Sequence, residues 1–471
     1  MTIDEIYSIF LKHPAVTTDS RNCPPGSLFF ALRGEHFDGH DFVEKALQSG
    51  CAYAIVDKTT LSPDKRVIVV ENVLQTLQHL AKIHRKTCGL PVIGITGTNG
   101  KTTTKELIAA VLSQKFNVLY TSGNLNNQIG VPLTLLRLTK EHEIAVIEMG
   151  ANHPGEIAEL SAMVCPDYGL ITNVGFAHLE GFGSLEGVVK AKGELYDYLR
   201  TTNGVVFIHR DNDRLTDIAV GLTMITYGVA DSAGAWHEDK PDSHPHPAWR
   251  EAPPVAGKIT GLHPFLSFTW QCTLNKVYEV HTRLVGGYNF WNALAAIAIG
   301  SYFDVPVEKI NEALASYQPT NNRSQLQETK FNKLIIDAYN ANPSSMCVAL
   351  ENFATLPSAS MVARSDDAQQ SGGGIPASPS PIPKVAILGD MLELGEKSQE
   401  LHAAIIRQIE RCNFEKVLLC GRHFSAAGQR YTCFPTVEML CAYLKDNQLR
   451  GYYILIKGSR AIHLEKIIEW L

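Results

Sequence analysis

The sequence predicts an α/β protein in three domains: a small N-terminal α/β domain, a central P-loop ATPase-like domain on a parallel sheet, and a C-terminal Rossmann-like domain. Short β-branched runs alternate with amphipathic helical patterns from end to end, the order that builds parallel sheets. One such run, Val92, Ile93 and Ile95, leads straight into the glycine loop G-T-N-G-K-T-T-T at 97–104. At 471 residues the chain is also too long for a single core. The patterns divide it into residues 1–88, 89–312 and 313–471.

Hydrophobic residues make up 45% and charged residues 19% of the chain, an ordinary globular composition. A net charge of −6 gives no electrostatic reason to expect nucleic acid as a partner. No apolar run approaches the ~18 residues of a membrane span. The start, M-T-I-D-E-I-Y-S-I-F, lacks the basic and apolar regions of a signal peptide. Ten cysteines without a C-x-x-C pair read as reduced thiols. A cytoplasmic protein acting as a monomer is expected.

In the first domain, 27–32, 52–56 and 67–70 read as strands, with helical patterns at 42–47 and 73–84. Two polar stretches, T-T-D-S-R (17–21) and R-G-E-H-F-D-G-H-D-F (33–42), read as solvated turns. Ser20 and Arg21 together could bind a phosphate, since a guanidinium offers it paired donors.

The central domain carries the clearest chemistry. Strand, glycine loop and helix start form a phosphate cradle: backbone N–H groups at the helix terminus face the anion, and Gly97 and Gly100 let the backbone approach it. Thr98, Asn99 and Thr103 complete the loop, Lys101 would reach the β/γ-phosphates, and the Thr102 hydroxyl would hold Mg²⁺. A strict Walker A has glycine where Ile95 stands, so the spacing is shorter. Behind the loop, Leu107, Ile108, Val111 and Leu112 share one helical face. The loop reads as a site for ATP or a close relative.

Further along, G-N-L-N-N-Q-I-G-V-P-L-T (123–134) is a polar loop entering a helix, and 144–147 is a buried strand ending on Glu148. A third strand, 169–174, leads to F-A-H-L-E and His178. Ligands of parallel sheets sit beyond the strands' carboxyl ends, where Glu148 and His178 both lie, so the pair is a candidate metal site. On the helix expected over 184–199, Val188, Lys192, Leu195 and Leu199 fall on one stripe, with Lys190 pointing away. A lysine on a packed face must be paired, neutralised or modified. Residues 230–258, rich in Pro, His and acids, read as a surface loop in which His237, His244 and His246 make no metal site. A small-residue helix opens at 286–298, where Asn289 or Asn292 could contact a nucleotide.

In the last domain four strands end on polar or glycine signals: 334–336 on Asp337, 385–388 on G-D-M-L-E-L-G, 417–419 on C-G-R, and 454–456 on K-G-S-R. That is the pattern of a Rossmann-like sheet with its site along one edge. The low-complexity stretch 358–383 is expected to be a disordered loop.

G-T-N-G-K-T-T-T, N-N-Q-I-G-V-P-L-T-L-L, E-M-G-A-N-H-P-G-E-I, N-V-G-F-A-H-L-E-G-F-G-S, K-A-K-G-E, G-G-Y-N-F-W-N-A-L-A-A, D-A-Y-N-A-N-P-S-S-M and G-D-M-L-E-L-G together resemble the Mur ligase family. The first domain agrees through D-S-R and P-G-S-L-F-F-A-L-R-G-E, so the resemblance covers nearly the whole chain apart from 230–258 and 358–383. It implies an ATP-dependent ligase of peptidoglycan precursor synthesis, with UDP-N-acetylmuramoyl-tripeptide and D-Ala-D-Ala as substrates and ATP and Mg²⁺ as cofactors. Residue by residue, it implies that Ser20 and Arg21 hold the uridine diphosphate end, and that Asn126, Asn127 and Gln128 lie along the muramoyl-peptide path. Thr102, Glu148, His178 and a carbamylated Lys192 would hold Mg²⁺, while Asn289, Arg323 and Asp337 would contact ATP. The third domain would bind D-Ala-D-Ala and close over the second. Two rival readings are a sister ligase that adds a single amino acid and a nucleotide-binding regulator without ligase activity. The D-N-P-R of the diaminopimelate-adding relative is absent from the third domain, and D-N-D-R at 211–214 lies in the second.

Overall fold

The computed structural model describes residues 1–34, 37–58, 64–177, 179–230, 254–272, 276–319, 323–356 and 382–471. Among them the strands form three sheets, one after another along the chain. The first has four parallel strands in sequence order: Val16–Thr17, Leu28–Phe30, Tyr53–Val56 and Val67–Val69.

The central sheet has nine strands. Val92–Thr96 lies inside it, between Tyr168–Ile171 and Ile144–Glu148, with Val118–Tyr120 at that edge. All of these are parallel, as are Val205–His209, Thr223–Val229 and Val255–Gly261 on the other side. The register pairs Ile95 with Glu148 and Thr96 with Ile171, so the three strand ends meet beneath the glycine loop.

The third sheet has six strands, ordered Gln325–Glu328, Lys333–Asp337, Tyr453–Lys457, Lys384–Gly389, Lys416–Cys420 and Thr432–Phe434. Only the first pair is antiparallel.

Apolar residues of the helices Ile3–Lys12 and Val73–Cys88 merge with those of Gly130–Leu135 and Leu185–Thr202, so the first sheet and one face of the second share a continuous core. The other face of the central sheet is covered by Lys101–Leu112 and Asn289–Tyr302. The third sheet has its own cluster on each face, joined from the central part by Val285 and Phe265. Among the described residues no helix is long and apolar enough to cross a membrane.

Four expectations are corrected. The strand expected over 169–174 ends at Ile171, because Thr172 and Asn173 leave the sheet to bind the glycine loop. The 33–42 stretch is solvated only in part: residues Gly39–Phe42 form a 3₁₀ turn that buries His40 between Asp38 (2.5 Å) and Asp57 (3.1 Å), while Arg33, Phe37, Asp41 and Phe42 are exposed. The 230–258 segment ends in a strand, Val255–Gly261, whose antiparallel neighbours Ser267–Gln271 and Tyr278–His281 extend the sheet beyond its parallel part. Its histidines lie outside the described residues, as does 358–381, whereas Ile382 is already buried in the third core.

Candidate functional site

The glycine loop is held from both sides of its strand. Gly97 has φ +143° and Gly100 φ +77°, the left-handed region that favours glycine. A Cβ on Gly97 would stand 2.0 Å from the Thr172 hydroxyl, and one on Gly100 2.7 Å from Asn292 Oδ1. Thr172 Oγ1 and Asn173 Nδ2 donate to Asn99 O at 2.7 and 2.9 Å, while Asn99 N donates to Asn173 Oδ1 at 2.9 Å. Sequence reading missed both partners, although the polar T-N closing an apolar run was the available signal.

Lys101 folds back over this loop, donating to Gly97 O (2.7 Å) and Thr98 O (3.2 Å). Burial lowers its pKa, and the Glu148 carboxylate opposes that effect. The ammonium therefore caps the loop's carbonyls, leaving the N–H groups of the helix start to an anion.

Glu148 is 1% exposed. Its Oε1 accepts from Thr102 Oγ1 at 3.2 Å and from Asn126 Nδ2 at 2.8 Å, whereas buried Oε2 has no hydrogen bond. Lys105, one helical turn beyond Lys101 and completely buried, brings Nζ to 3.9 Å from that oxygen. Burial lowers the Lys105 pKa, against the pull of Glu148 and Glu106. This lysine was not anticipated, yet Lys101, Lys105, Ile108 and Leu112 share a helical stripe that would have revealed it.

The Thr102 hydroxyl and the open oxygen of Glu148 are oxygen donors of the kind a hard divalent cation takes. Among the described residues no three His, Cys, Asp or Glu side chains cluster as a metal site. Phosphate oxygens and water, which Mg²⁺ commonly keeps as ligands, would join the side chains that hold such an ion. His178 lies outside the described residues.

Lys192 is buried on the helix Leu185–Thr202, which Ser184 caps through Gly187 N, while Lys190 is exposed. Its Nζ donates to Ala151 O at 3.2 Å and lies 5.0 Å from the Phe182 ring centroid. Burial, aided by the nearby charge of Lys101, pushes its pKa down to about 7. As an ammonium it is a donor and cannot ligate a cation.

One cavity of about 820 Å³ opens in front of the loop. Thr98, Asn99, Gly100, Lys101, Thr103 and Glu148 line one wall. Asn126, Asn127 and Gln128 line it too, each with a different tie: Asn126 to Glu148, Asn127 Oδ1 to Gly130 N at 2.9 Å, and Gln128 Nε2 to Glu159 Oε2 at 2.8 Å. The opposite wall comes from the third sheet and includes Arg323 and Asp337. Asp337 accepts from Lys457 Nζ at 2.6 Å, and the Arg323 guanidinium lies 3.9 Å from the Tyr339 ring centroid. The walls touch where Asn342 Nδ2 donates to Asn99 Oδ1 at 2.8 Å.

Two expectations fall outside this cavity. Asn289 is turned inward, bonded to Val285 O and Asn292 Nδ2, and it is Asn292 that lines the space and accepts from Thr104 Oγ1 at 3.0 Å. Ser20 and Arg21 are not among the lining residues, and the exposed Arg21 guanidinium forks onto Asp19.

The family model described as the Mur ligase middle domain matches residues 95–300, and that of the Mur ligase family catalytic domain matches 14–85. The chain is 34% identical to the UDP-N-acetylmuramoyl-tripeptide–D-alanyl-D-alanine ligase of Bacillus subtilis, over 96% of this chain and 92% of that one. It is 34% identical to the enzyme of the same name from Escherichia coli, over 97% and 93%. Among solved structures, MurF from Acinetobacter baumannii superposes with a TM-score of 0.78 at 31% identity, covering 97% of this chain and 92% of that one. MurF ligase from Thermotoga maritima in complex with ADP gives 0.77 at 25% identity, covering 98% and 97%.

Proposed function

The chain belongs to the Mur ligase family, and on that premise we propose that it is an ATP-dependent ligase adding D-alanyl-D-alanine to UDP-N-acetylmuramoyl-tripeptide, in peptidoglycan precursor synthesis. The observation that carries this is a cavity with a phosphate loop on one wall and the strand-end loops of another sheet on the other. A ligase that must bring a triphosphate, a carboxylate and an amine together needs such a space.

The reaction has two steps. The terminal carboxylate of the tripeptide attacks the γ-phosphorus of ATP, forming an acyl phosphate and releasing ADP. The amine of D-Ala-D-Ala then attacks the acyl carbon, and the tetrahedral intermediate collapses to the amide, expelling phosphate and a proton. The loop's N–H groups and Lys101 hold the phosphates and offset charge spreading onto the transferred group. Asn292 and Asn289 brace the loop, Arg323 and Asp337 face ATP from the third sheet, and Asn126, Asn127 and Gln128 guide the peptide. Thr102, Glu148 and His178, with Lys192 once carbamylated, would hold Mg²⁺, which supplies positive charge at the γ-phosphate. Carbamylation joins the neutral amine to carbon dioxide with loss of a proton, and a pKa near 7 supplies that neutral amine. Closing the two walls would exclude water from the acyl phosphate.

In this reading residues 1–88 take the UDP end through Ser20 and Arg21, 89–312 take ATP, and 313–471 take the dipeptide. In the same reading the protein works as a monomer in the cytoplasm, where its ten free cysteines would stay reduced. Mass spectrometry of the product from ATP, UDP-N-acetylmuramoyl-tripeptide and D-Ala-D-Ala tests it. The expected species is the UDP-muramoyl-pentapeptide, with phosphate released only when the dipeptide is present. Phosphate release indifferent to the dipeptide would instead indicate a regulator, and product from a single amino acid a sister ligase.

A further inference from the structure

Glu148 meets a second cation from behind. Lys105, completely buried on the helix Lys101–Leu112, is not among the residues that line the cavity, whereas Glu148 is. Its Nζ stands 3.9 Å from Glu148 Oε2, 3.7 Å from Glu106 Oε1 and 5.8 Å from the Tyr120 ring centroid. Among the described residues neither Nζ nor Oε2 makes a hydrogen bond.

A lysine buried this completely carries a desolvation cost that methionine of similar shape would not. The stand-off does what a hydrogen bond would not. Glu148 Oε1 is already engaged by Thr102 and Asn126, but Oε2 has its charge balanced while its lone pairs stay unused. Glu106 gives Lys105 a second carboxylate, itself held by the Tyr317 hydroxyl, so the ammonium stays paired if another cation takes Oε2.

We propose that Lys105 is a stand-in cation: it balances Glu148 while no metal is bound, and it makes uptake of a divalent cation there depend on the arrival of the nucleotide's phosphates. Like charges a few ångströms apart repel strongly where water is scarce, so the ammonium opposes a divalent ion that comes alone. Phosphate oxygens, which bring both negative charge and further ligands, reverse that balance. Lying off the cavity wall, Lys105 is a positioning residue that acts through the Glu148 carboxylate. The assignment rests on the ligase reading above for the arrival of the cation with ATP.

Titration of the nucleotide-free protein with Mn²⁺, the free ion read by electron paramagnetic resonance, tests it together with thermal melts with and without the metal. The proteins are wild type, Lys105→Met, Lys105→Arg and the double variant Lys105→Met with Glu148→Gln. Lys105→Met should bind Mn²⁺ about tenfold more tightly than wild type, the scale on which groups behind a metal ligand act. Its melting temperature should rise further on adding the metal, as tighter binding to the folded state requires. Lys105→Arg keeps the charge and should stay near wild type, and the double variant should lose the gain. Unchanged Mn²⁺ binding in Lys105→Met would overturn the assignment, and so would weaker binding, which would mean that the ammonium only holds the carboxylate in place. A Lys105→Met chain that folds only with Mn²⁺ present would support it, and one that stays unfolded with the metal would overturn it. None of these readouts involves ligation, so product formation by the wild type judges the ligase reading separately.

Discussion

At Lys101 a single ammonium donates to two carbonyls of the loop, and any phosphate bound there would claim it. Lys101→Ala should lower kcat at least a hundredfold, about the loss seen on removing one transition-state charge partner. Its melting temperature should stay near wild type, because the side chain fills no core. Histidine burial gives a second test. Burial lowers the His84 pKa below its ordinary 6.5, against the pull of Leu138 O at 2.9 Å. Below pH 6.5 the unfolded chain therefore binds a proton that the folded one refuses. The stability this contributes is complete above that pH and lost as pH falls toward the lowered folded value. Denaturant midpoints should drop between about pH 8 and about pH 5.5, and less so in His84→Gln.

At the scale of elements, the helix Leu185–Thr202 sets packing against function. Val188, Leu195 and Leu199 are buried as a helical stripe requires, and Lys192 is buried among them at a cost that burying methionine would not carry. Lys192→Met should therefore raise stability by about 1–3 kcal/mol in thermal melts while abolishing ligation. Periodicity made that stripe legible because each buried position repeats every third or fourth residue. The end of the Tyr168–Ile171 strand was not legible in the same way. Thr172 and Val174 favour strands by type, and only the distant Asn99 tells the backbone to leave. The strands Ser267–Gln271 and Tyr278–His281 escaped although S-F-T-W-Q and Y-E-V-H alternate polar and apolar residues, as strands half-buried on one face do. Glu148 was readable as a strand end, but its neighbour Lys105 resembles any solvent-facing lysine until its turn of helix is compared with Lys101.

For the whole molecule, the core is divided two against one. Leu80 lies in the cluster that joins the first sheet to the second, fully buried on the helix Val73–Cys88. Leu80→Ala should cost about 2–5 kcal/mol. Hydrogen exchange should quicken in both of those sheets and remain unchanged in the third, whose apolar clusters are largely its own. Arg85, bonded to Val164 O at 3.0 Å and Asp167 at 2.9 Å, nails the same helix to the central sheet by polar contacts. This uneven seam determines which part of the chain can be exchanged. A graft replacing the last sheet would sever mainly polar ties, such as that between Asn342 and Asn99, and a few apolar ones around Val285. Transplanting the first would cut through one unbroken mass of oil. New acceptors should therefore be easier to breed into this scaffold than new donors.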